Sequence, residues 1–261
     1  MSTIGGRAPP APHAEENWAM FLDFDGTLTE IARRPEEVVV AADLAAVMVR
    51  LGERCGGALA LVSGRKITDL DRFFAPSRFD AAGLHGMEMR VAGAPLGAPR
   101  DHGADLQLVL PGLAERFAAE PGLLLEDKGV AIAAHWRQAP EKADAAMGLM
   151  QAAVQQLGAG FRLQFGKSVC EIVAAAADKG QAIETLMRTA PYLGRRPLFI
   201  GDDLTDEHGF RAVNAAGGVS VKVGAGETIA GYRLAGPANV LTTLRDWAAG
   251  RAISPEQDFA S

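Results

Sequence analysis

Apolar positions fall along the chain in short blocks of two kinds. Residues 18–24, WAMFLDF, form an apolar run that stops at an acidic cluster, the pattern of a strand buried on both faces. Residues 58–62 and 79–84 repeat it. Between these runs, residues 42–54 place Leu44, Val47, Met48 and Leu51 at helical spacing, and Gly56-Gly57 closes the segment. Residues 66–74 predict a second helix. Strand and helix therefore alternate at short spacing, which predicts an α/β fold with a mostly parallel sheet.

The middle of the chain breaks this rhythm. A helix is expected over 104–118 and a longer one over 141–157. Strands over 123–126 and 130–136 meet at Asp127-Lys128-Gly129, a hairpin turn signal, and strands over 161–165 and 168–173 meet at Gly166-Lys167. Hairpins here replace the crossovers of the flanks, so residues 103–176 read as an inserted α+β domain of αββαββ order. The first rhythm then returns: helix 180–190, strand 197–201, helix 205–213, strand 217–221, and a last helix ending near Ala248. The expected layout is a core domain over 17–102 and 177–252, the insert over 103–176, and flexible tails at 1–16 and 253–261.

Composition narrows the class of protein. Apolar residues make up 48% of the 261, enough for a sizeable core, and the net charge of −6 argues against nucleic acid or an anionic membrane as partner. No apolar run approaches the roughly 20 residues that span a bilayer. Two cysteines, Cys55 and Cys170, provide neither a disulfide framework nor zinc spacing, and the first residues lack the apolar stretch of a secretory signal. A cytoplasmic location is expected.

The chemistry concentrates at strand ends. Asp23-Phe24-Asp25-Gly26-Thr27-Leu28-Thr29 follows the first buried run, and ligands of open α/β sheets bind just beyond such ends. Asp-Gly alone is an ordinary turn; the whole string after a buried strand is not. Gly201-Asp202-Asp203-Leu204-Thr205-Asp206-Glu207 follows another buried run. Carboxylates gathered there repel one another unless a cation intervenes, and hard oxygen donors suit Mg²⁺. Asp206 and Glu207 also suit a helix N-terminus, which leaves Asp202 and Asp203 to be explained. Ser63-Gly64-Arg65 ends the second strand and could present a hydroxyl and loop amides to an anion. Lys179, in Asp178-Lys179-Gly180, opens a helix where an ammonium could offset phosphate charge. Taken alone, each of these last two is a common turn or a surface lysine.

In this order, DFDGTLT, SGR, KG and GDDLTDE resemble the motifs of the haloacid dehalogenase-like (HAD) phosphohydrolase superfamily, and the insert resembles its C2-type cap. A narrower resemblance lies in Gly83-Leu84-His85-Gly86 with Glu88, in Leu125-Glu126-Asp127-Lys128-Gly129 followed by His135-Trp136-Arg137, and in Gly166-Lys167-Ser168-Val169-Cys170-Glu171. These stretches are similar to those of trehalose-6-phosphate phosphatases. One departure stands out: that family usually has a basic residue and proline after the last glutamate, where residues 173–177 here are Val-Ala-Ala-Ala-Ala.

The resemblance implies a Rossmann-like HAD core with a cap and a phosphoric monoester hydrolase that releases trehalose and phosphate from trehalose 6-phosphate. It implies Asp23 as nucleophile through an aspartyl-phosphate, Asp25 as general acid and base, and Lys179 and Ser63 as holders of the phosphoryl group. Mg²⁺ is implied on Asp23, Asp202 and the carbonyl of Asp25, with Thr27, Gly64, Arg65, Asp203 and Asp206 around them. The sugar falls to His85, Glu126, Lys128, Arg137, Lys167 and Glu171. The implied partners are a sugar phosphate and, in the pathway, a trehalose-phosphate synthase, with no nucleic acid and no membrane. Sucrose-phosphate or mannosylglycerate-phosphate phosphatases, or a sugar phosphomutase on the same fold, are the alternatives.

Overall fold

The computed structural model describes residues 9–10, 17–32, 34, 37–97 and 103–251. The tails expected at 1–16 and 253–261 lie almost wholly outside these residues. The chain divides into two compact units, 1–96 with 178–261 and 97–177.

The first unit opens with β1 (Trp18–Leu22), α1 (Leu44–Arg54), β2 (Leu59–Val62), α2 (Ile67–Phe74), β3 (Asp80–Gly83), β4 (Glu88–Val91) and β5 (Ala94–Pro95). The second holds α3 (Gly103–Leu106), α4 (Leu110–Ala118), β6 (Leu124–Asp127), β7 (Ile132–His135), α5 (Ala143–Leu157), β8 (Phe161–Gly166) and β9 (Val169–Ala174). The first unit is completed by α6 (Lys179–Met187), β10 (Arg196–Gly201), α7 (Asp206–Ala215), β11 (Val219–Val223), β12 (Tyr232–Leu234) and α8 (Pro237–Ala248).

The eight-stranded sheet runs β12-β11-β10-β1-β2-β3-β4-β5, parallel from β12 to β3 and antiparallel across β3, β4 and β5. β1 is buried at every residue, as its uninterrupted apolar run requires. From β1 the chain proceeds outward through β2 and β3, and it later returns to fill the other side from β10. The strand order therefore reverses between β1 and β10, the place where such sheets open a crevice. Register makes the crevice specific. Leu22 pairs with Ile200 and Leu61, so Asp23 emerges with Asp202 on one flank and Ser63 on the other.

The second unit is an antiparallel sheet, β6-β7-β9-β8, whose apolar face packs on the helices. Leu113 and Phe117 of α4 and Ala146 and Met150 of α5 share a core with Ile132, Ala134, Cys170 and Ile172.

Three features depart from the periodic reading. The helix expected over 104–118 is broken into α3 and α4, because Pro111 lacks an N–H and disfavours helical geometry before it. The β4–β5 hairpin was not legible, since Ala92-Gly93 turns with both residues at positive φ (50° and 77°) in a sequence without an Asn-Gly signal. β12 has only three residues and a mostly polar composition.

Candidate active site

Asp23 is the first residue past β1, and its N–H donates to Ile200 O at 3.0 Å. The chain then turns sharply: Gly26 has φ +79°, and a Cβ there would lie 2.2 Å from Asp202 Oδ2. Only glycine allows this conformation cheaply while the backbone passes that close to a carboxylate. Thr27 closes the turn, its hydroxyl donating to Asp23 Oδ2 at 3.3 Å.

Lys179, the first residue of α6, places its ammonium between two acids. Nζ is 2.8 Å from Asp23 Oδ1 and 2.6 Å from Asp206 Oδ1. All three side chains are buried; Lys179 and Asp23 are each 4% exposed and Asp206 is fully enclosed. Burial pushes the Asp23 carboxyl well above the ordinary range and the Asp206 charge adds to this, with Lys179 opposing. For Lys179, burial alone would lower the pKa, but the Asp206 and Asp23 carboxylates together raise it. The ammonium is therefore a permanent charge in this place.

Asp206 has both oxygens engaged. Oδ1 accepts from Lys179, and Oδ2 accepts the N–H groups of Asp202 and Asp203, each at 2.9 Å. It holds the Asp202–Asp203 loop in shape. Lys222, buried on β11, donates to the carbonyl of Asp202. The sequence reading missed this residue; its signal was a lone lysine within the buried VSVKV strand.

Asp23, Asp202 and Asp206 each offer a carboxylate oxygen, all within 4.8 Å of one another. The donor set is entirely hard oxygen, and Asp23 carries the unfavourable environment of an anion short of counter-charge. The residues fit a small divalent cation.

Asp25 points elsewhere. Arg65 grips both its oxygens, Nε to Oδ2 at 2.6 Å and Nη2 to Oδ1 at 2.8 Å, with the guanidinium over the rings of Phe24 and Phe73. Ser63 is buried, and its hydroxyl accepts the N–H of Arg65 at 3.1 Å. The Ser63–Arg65 turn is gripped from behind: Leu84 N–H donates to Arg65 O and His85 N–H to Ser63 O, both at 3.0 Å. Leu84 and His85 hold positive φ to do so (50° and 55°). Glu88 caps α2, accepting Ile67 N–H at 2.5 Å. His85 and Glu88 thus shape the loop that bears Ser63 and Arg65.

In the second unit, the paired row Glu126, Ala133, Glu171, Gln164 crosses all four strands on the face opposite the core. Ala133, between the two glutamates, is fully buried. Lys128 Nζ pairs with Glu171 at 2.5 Å, and His135 Nε2 lies 2.9 Å from Glu126. Burial would raise the Glu126 pKa, but the His135 hydrogen bond and the Lys128 charge lower it below its usual value. Arg137 donates to Lys167 O at 2.9 Å, tying the β8–β9 turn, while the Lys167 side chain is exposed. Trp136 belongs to the core.

The sequence pattern of the trehalose-phosphatase family matches residues 21–238. The chain belongs to this family. It is 43% identical over 240 residues to the trehalose-6-phosphate phosphatase of Escherichia coli (strain K12), covering 89% of this chain and 87% of that one. It is 42% identical over 209 residues to a probable trehalose-phosphate phosphatase of Sinorhizobium fredii, covering 80% and 78%. The fold of this trehalose-phosphatase family member is shared with the C-terminal domain of trehalose-6-phosphate phosphatase from C. albicans, at a TM-score of 0.80 and 21% identity over 93% of this chain and 99% of that one. The family member is accordingly a phosphatase with a HAD-type fold. Among its described residues, no helix is long and apolar enough to cross a membrane.

Proposed function

We propose that the protein hydrolyses trehalose 6-phosphate to trehalose and phosphate, with Asp23 as the nucleophile. The observation that carries this reading is the buried Asp23–Lys179–Asp206 arrangement at the mouth of the strand-order reversal. A carboxylate kept beside a fixed ammonium can accept a phosphoryl group whose charge that ammonium offsets. The names of the relatives support the sugar.

Asp23 and Asp202 would hold Mg²⁺ with the carbonyl of Asp25, and Asp206 would orient the loop that bears Asp202. When bound, the ion supplies charge neutralisation on the phosphoryl oxygens. In the first step an Asp23 oxygen attacks phosphorus, the bond from phosphorus to the sugar oxygen breaks, and Asp25 gives that oxygen a proton. In the second, water attacks phosphorus, Asp25 takes its proton, and Asp23 is released. Lys179 and Ser63 hold the phosphoryl oxygens, with Thr27 and the Gly64–Arg65 amides beside them. Because Arg65 occupies both oxygens of Asp25, Asp25 must swing away from it before either transfer; the ion pair is a resting arrangement.

The polar row of the second unit, which we read as the cap, binds the sugar. Glu126, Lys128 and Glu171 offer charged donors and acceptors on one face of the sheet, and a hydroxyl missing from an analogue would leave one of them unpaired. His135 orients Glu126, Arg137 and Lys167 order the neighbouring turn, and His85 shapes the phosphate loop. The reaction belongs in the cytoplasm, with a trehalose-phosphate synthase as its supplier. Phosphate release is to be compared for trehalose, sucrose and mannosylglycerate phosphates, with and without EDTA. Preference for trehalose 6-phosphate and loss with EDTA are expected. Preference for another sugar phosphate, an isomerised sugar without free phosphate, or activity indifferent to EDTA would defeat the respective part.

A further inference from the structure

Helices α6 and α7 begin side by side, and two links tie their first turns. One is the Lys179–Asp206 pair described above. The other joins the neighbouring residues: Asp178 Oδ2 lies 2.5 Å from His208 Nδ1. The second oxygen of Asp178 is also committed, accepting Gln181 N–H at 2.9 Å as the N-cap of α6. The helices are in intimate contact at this point, since a Cβ on Gly180 would lie 2.6 Å from His208 O. Asp178 is therefore held on both oxygens, once to its own helix and once to the helix that carries Asp206.

We propose that His208 is a positioning residue: through Asp178 it fixes the start of α6 so that the Lys179 ammonium stands between Asp23 and Asp206. The proposal rests on the reading of Lys179 as the cation that meets the phosphoryl group. A lysine side chain has four rotatable bonds, and its ammonium can satisfy either acid alone if the helix start drifts. The lateral tie removes that freedom. The imidazole side chain is 43% exposed, so its part in the core is small. A misplacement of about 1 Å at such a site costs up to roughly a hundredfold in rate.

The test uses the full chain with His208→Ala, His208→Asn and His208→Gln. The asparagine amide nitrogen overlies Nδ1 and can still donate to Asp178; the glutamine amide overlies Nε2 and cannot. Steady-state kinetics are measured on trehalose 6-phosphate and on p-nitrophenyl phosphate. The metal-free proteins are also treated with acetic anhydride, and acetylation of Lys179 is followed by peptide mass spectrometry. The alanine and glutamine variants are expected to lose about tenfold in kcat on both substrates with KM nearly unchanged. They should also acetylate Lys179 several-fold faster, while the asparagine variant stays close to the parent in both readouts. Parental kcat and Lys179 protection in the glutamine variant, an asparagine variant as impaired as glutamine, or an effect on KM alone would overturn the proposal. A parent active on p-nitrophenyl phosphate but inert on trehalose 6-phosphate would instead sink the substrate reading and leave the His208 comparison standing.

Discussion

Replacing Lys179 with methionine removes an ammonium that touches both Asp23 and Asp206 while keeping most of the side chain's volume. The ammonium lies 2.8 and 2.6 Å from its two partners. At an effective dielectric of about 20, charges at such separations attract by roughly 6 kcal/mol per pair. Most of that attraction is offset by the cost of burying three charges, several kcal/mol per ion. What the substitution leaves behind is two buried carboxylates without their cation, a situation that costs about 3–5 kcal/mol. The loss must depend on pH. Asp23 is already raised in the parent by burial and the Asp206 charge, with Lys179 opposing, so removing Lys179 raises it further; a protonated Asp23 needs no cation, and the loss therefore grows as pH rises through the parent's folded value. Urea unfolding of metal-free protein at pH 8 and pH 5 reads both effects. Trp18 and Trp247 lie in the core of the first unit and Trp136 in that of the second, so a Trp136→Phe background confines the fluorescence signal to the unit that holds the site. A loss under about 1 kcal/mol at pH 8, or a larger loss at pH 5 than at pH 8, would refute the reasoning.

Gly26→Ala should abolish turnover and cost about 1–2 kcal/mol in stability, because residue 26 sits at φ +79° with its Cβ position inside the Asp202 carboxylate; kinetics and thermal unfolding check it, and a variant of parental activity contradicts it. Glu171→Gln removes the ionic partner of Lys128 and should raise KM for trehalose 6-phosphate by about tenfold or more, leaving hydrolysis of p-nitrophenyl phosphate unchanged. Asp71 is gripped by Arg90 at 2.7 Å through both oxygens, and these hydrogen bonds lower its pKa. Its folded value is depressed, so the pair stabilises the protein above the unfolded value near 4 and fades as pH falls through the folded one. Asp71→Asn should therefore lower stability by on the order of 1–2 kcal/mol at pH 7, with the gap from the parent closing toward pH 3.

Where the core strands are uniformly apolar and the helices strongly periodic, as in β1, β2, α1 and α5, period alone located them. The β4–β5 hairpin and β12 escaped because they are short, mixed in polarity and held by pairing to a neighbour already in place. The residues at the strand ends were legible for a similar reason, since carboxylates directly after buried runs are costly without a purpose. Their partnerships were not legible. Lys179 meets Asp23 across 156 positions and Arg65 meets Asp25 across 40. Such pairs are set by sheet order and register, which local sequence does not encode. The capture of Asp25 by Arg65, the double duty of Asp206 and the support of Asp202 by Lys222 all belong to that class. So does the Asp178–His208 tie, which lies 30 positions apart and has no motif to mark it.

The central claim is that Asp23 takes the phosphoryl group before water does. The stereochemical course at phosphorus tests it most directly, using trehalose 6-thiophosphate whose phosphorus carries sulfur, 16O and 18O, hydrolysed in 17O-water so that the released thiophosphate is itself chiral. Two in-line displacements, first by Asp23 and then by water, predict net retention of configuration. Net inversion would mean a single attack by water and would contradict the account.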